Sequence, residues 1–410
     1  MCFDFPPERK AQNRYVQFYQ TDRMKFKKIL LYFFAVIILY LGIGALLLNF
    51  EIIQRLYIFP GWSIKHGGTD EDNSTVSSDG PIIIYKNEKI TKYQVNPNNG
   101  NFSLSQSEIT KNDSLNCYVD ETKDTFSFKL KDSLQIQPSE YILPNKMFVL
   151  SDIEGNFKGF KSILQGNKII DKNFNWTFEN NHLILVGDFF DRGLNVTECL
   201  WLIYKLEDEA EKQGGKVHFI LGNHEMMNLK GQLKYVRDKY QENADTLKVD
   251  YEKWYSQNSE LGKWLRTKNA VEKIGNLLFV HAGIRKDFPK NYSIQQINEN
   301  TRKSIDKQFH KDEQKNDIFI GNESPIWYRG ISTEKESQQE VENTLKRFSV
   351  DKMIIGHTIV DKIKYLYKGK IIDIDLEHKT NSEKGEMFAL WIENGNFYSI
   401  NQKGVKSNVE

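Results

Sequence analysis

Five places in this 410-residue chain set a side chain able to hold a metal ion directly behind a short apolar run. They are Asp152 and Glu154 in SDIEGN, Asp188 in GDFFDRG, Asn223 and His224 in GNHE, His281 in HAGI, and His357 in GHT. The donors are carboxylate and amide oxygens with imidazole nitrogens, a mixed set suited to Mn, Fe or Zn. Any one of them alone reads as a hydrogen-bonded loop histidine or a helix-capping aspartate. Together, each at a strand end where rigid backbone can fix it, they read as a metal centre. The only cysteines are Cys2, Cys117 and Cys199, too few and too scattered for a thiolate knuckle or a disulfide framework, so histidine, asparagine and carboxylates must do the holding.

The elements that would position these groups are legible from periodicity. MFVLSD, HLILVGD, KVHFILGNHE, NLLFVHAG and KMIIGHT are runs of strand length, and helix-like segments separate most of them. After the second run, Val196, Leu200, Ile203, Leu206 and Ala210 share one helical face, and Gly214-Gly215 is the expected stop. Strands alternating with helices predict an α/β core with ligands at the carboxyl ends of strands. Residues 81–145 instead alternate apolar and polar positions, which predicts a small β-rich region of short strands and hairpins without chemistry of its own.

These motifs resemble those of the calcineurin-like metallophosphoesterases, and more closely the Shewanella-like branch of the phosphoprotein phosphatases. The resemblance covers about residues 146–400, with GDFFDRG and GNHE its most specific pieces; SPIWYRG at Ser324–Gly330 resembles the extra arginine motif of that branch. It implies a sandwich of two β-sheets flanked by helices, with two divalent ions at one edge. By resemblance Asp188 bridges the ions, Asp152 and residue 154 complete the first, and Asn223, His281 and His357 hold the second. A hydroxide shared by the metals would attack phosphorus in line with the leaving oxygen. His224 would protonate that oxygen with Asp191 orienting the imidazole, and Arg192 and Arg329 would clamp the phosphate. The departure from the pattern is Glu154, where the family has histidine; a hard oxygen there shifts the expected metals toward Mn, Fe or Mg and away from Zn.

Flanking segments are assigned less. Residues 229–275, rich in aromatics such as Tyr235, Tyr251 and Trp264, are expected to form a helical insertion over the metal edge. Asp373 and Asp375 in KIIDIDLEH are read as the strand after GHT, with no catalytic role. Whether Cys117 and Cys199 pair is open.

Lys and Arg number 56 against 55 Asp and Glu, so nothing in the charge suggests a nucleic-acid partner. Ile29–Phe50 contains no charged residue and, at about 1.5 Å per residue, reaches roughly the 30 Å of a bilayer core. Arg9, Lys10, Arg14, Arg23, Lys25, Lys27 and Lys28 precede it, which predicts a single-pass anchor with residues 1–28 cytoplasmic and the rest across the membrane, periplasmic in a bacterium. Seven Asn-x-Ser/Thr sequons follow the anchor, and Asn195 stands beside GDFFDRG, where a glycan would crowd a substrate; this too favours a cell that does not attach them. The expected organisation is a linker over 51–80, the β-rich region over 81–145, the metallophosphatase domain over 146–400 and a tail over 401–410. The expected function is a membrane-anchored phosphomonoesterase acting on phosphorylated protein. The alternatives are a hydrolase of nucleotides or other small phosphoesters, and a phosphate-binding pseudophosphatase without turnover. Oligomeric state is not legible.

Overall fold

The computed structural model describes residues 8–49, 55–59, 62–65, 74–98, 101–309 and 311–410. Two compact units result, Met1–Glu71 and Asp72–Glu410.

In the first unit the helix Glu8–Asn49 runs unbroken through the apolar segment. Its Lys27–Leu47 stretch, with mean hydropathy 2.6, is the one helix among the described residues long and apolar enough to cross a membrane. Ile29, Leu31 and Ile38 stand exposed on it, so the apolar surface wraps the helix and finds no core. Part of the expected linker is ordered: Arg55–Phe59 and Trp62–Lys65 pair as an antiparallel hairpin. The aromatic and branched residues of LYIF and WSI favour extended backbone. Residues 50–54, 60–61 and 66–73 of the anchor end and linker lie outside the described residues.

The second unit is a two-sheet sandwich. One sheet runs in the order Lys216–Phe219, His182–Leu185, Lys146–Leu150, Phe388–Glu393, Asn396–Asn401, Lys406–Asn408, its first three strands parallel. The other runs Lys364–Leu366, Ile371–Asp373, Lys352–Ile355, Leu277–Val280, Val271–Ile274, Glu140–Tyr141. All five apolar runs are therefore strands. Their interior positions are apolar on both faces because both faces are covered, His218 being the buried exception, held by Glu272 at 2.6 Å; Met147, Val149, Ile184, Phe279 and Ile354 fill the space between the sheets. Their neighbours Phe148, Leu150, Leu183, Leu185, Leu278 and Ile355 belong to a second cluster under the outer elements. Each such side chain contributes roughly 1.5–3 kcal/mol by leaving water. The helix Val196–Lys212 forms as its spacing predicts, burying Val196, Leu200, Ile203, Leu206 and Ala210.

Residues 81–145 do not stand apart. The strands Asp79–Lys86, Leu115–Val119 and Asp124–Phe128 bury Ile82, Cys117 and Phe126 in the same cluster as Phe157 and Trp201. Phe128 stacks on Trp201 at 4.4 Å, and the Trp201 indole N–H donates to the Pro81 carbonyl at 2.7 Å. An alternating strand has one apolar face to cover, and here the helix Val196–Lys212 covers it. Over 229–275 the helices Asp238–Leu247, Tyr251–Trp254 and Glu260–Leu265 form, whereas Val271–Ile274 is a strand of the second sheet. Cys117 and Cys199 are free, buried thiols, and burial pushes both well above the ordinary thiol range.

Candidate metal centre

Loops at the carboxyl ends of the strands are locked side by side by their backbones. Asp152, Glu154 and Gly155 donate their N–H groups to the carbonyls of Gly187, Asp188 and Phe189 at 2.9, 3.0 and 3.0 Å. Glu225, the last residue of GNHE and fully buried, accepts from the N–H groups of Asp188, Phe189 and Gly222 at 2.8, 2.7 and 2.7 Å, tying the GDFFDRG and GNHE loops together. Such closeness needs glycine. A Cβ on Gly187, whose φ is +87°, would lie 2.8 Å from His281 Nδ1, and one on Gly193 would lie 2.2 Å from the Glu154 carbonyl oxygen. Asp152, Glu154, Asp188, Asp191, Arg192 and His357 all have φ between 50° and 70°, the left-handed region that non-glycine residues enter only when their surroundings hold them there.

The loops bring Asp188, His281 and His357 together so that one donor atom from each lies within 4.8 Å of the others, all buried. The hydrogen bonds on the far side of each ring fix its tautomer. His281 Nδ1 faces the Val186 carbonyl at 2.8 Å and His357 Nε2 faces the Trp327 carbonyl at 3.1 Å. A carbonyl only accepts, so these nitrogens carry the protons, and the His281 Nε2 and His357 Nδ1 lone pairs face each other at 3.2 Å. Asp188 Oδ2 lies 3.1 Å and Asn223 Oδ1 3.0 Å from the same His281 Nε2. When His281 is neutral, four acceptor atoms thus converge with no donor among them, an arrangement that a cation relieves; without an ion, a proton on His281 Nε2 takes that place. Burial alone would lower the His281 imidazole, but Asp188 and then Asp152 more than reverse this and raise it to about 9; Asp188, which burial would raise, is held well below the carboxylate range chiefly by His281 and His224. This chemistry fits divalent ions.

Asp152 enters from the first sheet. Its Oδ2 accepts the His357 N–H at 3.2 Å, and burial, opposed by His281, leaves its carboxyl raised to about 6. Glu154 is placed differently: its carboxylate is paired with the Arg192 guanidinium and is not among the three clustered donors. That guanidinium also lies over the Tyr235 ring, 5.3 Å from its centroid. Arg329 is exposed and uses Nη1 to donate to the His357 carbonyl at 2.8 Å and to Thr358 Oγ1 at 3.0 Å.

His224 sits at the edge of the cluster, its Nε2 3.9 Å from Asp188 Oδ2. Its Nδ1–H donates to Asp191 Oδ2 at 2.5 Å; burial lowers the imidazole, but Asp188 and Asp191 outweigh it, so the net direction is upward. Asn228 donates to Asp191 Oδ1 at 2.9 Å, and the Tyr251 hydroxyl donates to Asn228 Oδ1 at 2.9 Å. Reading the sequence missed Glu225, Asn228 and the role of Tyr251. Glu225 could have been found as the acid closing GNHE, but nothing in the chain links Tyr251 to Asn228 before folding does.

A family model described as calcineurin-like phosphoesterase matches residues 146–361, which hold every one of these groups. The chain belongs to that family. Among relatives of this calcineurin-like phosphoesterase, Shewanella-like protein phosphatase 1 of Plasmodium berghei is 30% identical over 223 residues, 52% of this chain and 61% of that protein, so the chain spans about three-fifths of that relative. Shewanella-like protein phosphatase 2 of Arabidopsis thaliana is 25% identical over 289 residues, 59% of this chain and 73% of that protein. The solved structure of a cold-active protein-tyrosine phosphatase from a psychrophilic Shewanella species superposes with a TM-score of 0.73 at 31% identity, covering 82% of this chain and all of that one. The two-sheet metallophosphatase fold is thereby established for this calcineurin-like phosphoesterase, as is its place beside the Shewanella-like phosphatases. The family is built around a dinuclear metal centre.

Proposed function

We propose that the chain is a metal-dependent phosphatase of phosphomonoesters, acting on phosphorylated protein side chains and held at a membrane by its N-terminal helix. The observation that carries this reading is the placement of His224, braced by Asp191, 3.9 Å from the carboxylate on which the metal donors converge. Asp188 would stand between two ions, with Asp152 on one side and Asn223, His281 and His357 on the other. Bound divalent ions, Mn or Fe foremost and Mg or Zn next, supply Lewis acidity toward the phosphoryl oxygens and an activated water.

The chain's own residues do the rest. Arg329 is anchored through Nη1, which leaves Nη2 and Nε to take phosphoryl oxygens as a planar, charge-assisted pair of donors. Arg192 supplies the second guanidinium from the opposite loop once phosphate competes with Glu154 for it. His224 delivers a proton from Nε2 to the departing oxygen, and Asp191 holds the ring and stabilises its charged form. The solved relative is named as a tyrosine phosphatase, so phosphotyrosine is the first side chain to test. The apolar surface of Lys27–Leu47 supports the anchor, and the basic residues before it support an extracytoplasmic catalytic unit.

The decisive assay is phosphate release from p-nitrophenyl phosphate by the full chain in detergent, stripped of metal and titrated with Mn. Turnover that requires metal and disappears in Asp188→Asn is expected. Binding of phosphopeptide without turnover under any of Mn, Fe, Mg or Zn would overturn the enzyme reading in favour of a binding protein.

A further inference from the structure

Residues 74–79, part of the expected linker, lie at the start of the second unit and are fastened to the helix Asp238–Leu247. Ser74 Oγ accepts the Lys239 N–H at 2.9 Å. The Asn243 amide pairs with both backbone groups of Ser77: its Oδ1 accepts the N–H at 3.2 Å and its Nδ2 donates to the carbonyl at 2.9 Å. The same Nδ2 reaches Asp79 Oδ2 at 3.2 Å. Asn243 is fully buried, so breaking these bonds would leave polar groups unpaired away from water.

The same helix, with the residues just before it, holds the loop that carries Arg192. Arg192 donates its N–H to the Tyr235 carbonyl at 3.1 Å, and its own carbonyl accepts from Arg237 Nη1 at 3.0 Å. Lys239 Nζ donates to the Leu194 carbonyl at 2.6 Å, and the Tyr240 hydroxyl accepts the Val196 N–H at 2.8 Å. The backbone from 192 to 196 is therefore pinned along its length by residues 235–240.

Lys239 joins the two sets of contacts. Its backbone meets Ser74 and its ammonium meets Leu194, while that ammonium also lies 3.6 Å from Asp79 Oδ2 and 3.8 Å from Glu198 Oε1. All three charged groups are buried, and among the described residues neither Glu198 oxygen has a hydrogen-bond partner. A buried ammonium facing two buried carboxylates cannot leave them without exposing uncompensated charge to an apolar interior. Its contact with the Leu194 carbonyl, two residues after Arg192, is fixed along with it.

We propose that Lys239 is a positioning residue for phosphate binding: seated by residues 74–79, it fixes the loop that aims Arg192, and the entry segment of the second unit is thereby part of the support of the substrate site. This inference rests on the reading of Arg192 as a phosphate clamp.

The test separates substrate affinity from turnover. Full-length protein in detergent is assayed with p-nitrophenyl phosphate at saturating Mn, with inorganic phosphate titrated as an inhibitor. Lys239→Met removes the ammonium, and Asn243→Ala releases Ser77 and Asp79 from the helix. Each is expected to raise KM and the phosphate Ki about tenfold, the order of one misdirected charge-assisted hydrogen bond, with a smaller change in kcat. Glu207→Gln, which weakens the fold without touching this loop, should leave both constants where they are. Should Lys239→Met not fold, Asn243→Ala alone decides. Unchanged KM and Ki in the folded variants, or an equal rise in Glu207→Gln, would overturn the proposal. Arg192→Ala isolates the premise: if it leaves both constants unchanged, the phosphate role of Arg192 fails, whereas if it raises them and Asn243→Ala does not, only the support role fails.

Discussion

The Nδ1–H of His224 points at Asp191 Oδ2, 2.5 Å away, while the other oxygen of the same carboxylate is held by Asn228 at 2.9 Å. The imidazole is thus oriented by a carboxylate that is itself oriented, and Nε2 is the nitrogen left to face the reaction. Asp191→Asn replaces an obligate acceptor with a group that can donate to Nδ1 and stabilise the wrong tautomer. The expected loss in kcat is about 10²–10⁴-fold for alkyl phosphate esters. The loss should be much smaller for p-nitrophenyl phosphate, whose leaving oxygen needs little help from a proton. Equal losses for both ester classes would mean that His224 and Asp191 do not form the acid.

Tyr251 reaches this relay from the helical insertion, donating to Asn228 Oδ1 at 2.9 Å. Tyr251→Phe leaves a buried amide oxygen unpaired and is expected to destabilise the protein by about 1–3 kcal/mol. It should also lower kcat severalfold with KM unchanged, because substrate contacts are untouched. Denaturant titration and steady-state kinetics on the same preparation separate the two effects.

Glu154 and Arg192 form an ion pair across two of the loops. Removing the carboxylate charge in Glu154→Gln releases the guanidinium to phosphate, so KM for p-nitrophenyl phosphate and Ki for inorganic phosphate are both expected to fall. Mn content should stay the same. Loss of an Mn ion with no change in KM would instead make Glu154 a metal ligand.

Stability at low pH should depend on Glu207, on the helix Val196–Lys212. Its carboxylate accepts from Lys131 and Lys268, each at 2.5 Å, and from the Trp264 indole at 2.7 Å. Burial alone would raise its carboxyl, but the two ammonium groups bring it down to about 2. A folded value below the unfolded one of 4.5 means that the stabilisation is complete above pH 4.5 and is lost as pH falls toward 2. The amount is of order 3 kcal/mol. Glu207→Gln should remove that pH dependence and cost about 3–5 kcal/mol at neutral pH, since two buried or half-buried ammonium groups lose their partner. Urea unfolding of the metal-free protein across pH 2.5 to 7 on the two proteins is the check, roughly bracketing the window these values define.

Gly193 approaches the Glu154 carbonyl so closely that a Cβ would sit 2.2 Å from it. Gly193→Ala must push the GDFFDRG loop off the SDIEGN loop. Loss of Mn binding is expected, with a melting temperature that no longer responds to Mn. Retention of both ions would show that the loops part without disturbing Asp152 and Asp188.

The sequence by itself determined the strands, because runs such as HLILV can satisfy their apolar side chains only where both faces are covered. It also determined the donor types, since Asp188, His281 and His357 each follow such a run and backbone geometry carries them to one sheet edge. Gly214-Gly215 ended the helix Val196–Lys212 as read, because no other residue leaves a helix as cheaply. What the sequence did not contain was any pairing between segments distant along the chain. The alternating strands near residue 82 carry an apolar face but do not say what covers it; the sidewall of Trp201 and Tyr204 does so only after collapse. Glu154 has the reach of a metal ligand and yet meets Arg192, because the left-handed turns at both residues bring their side chains together.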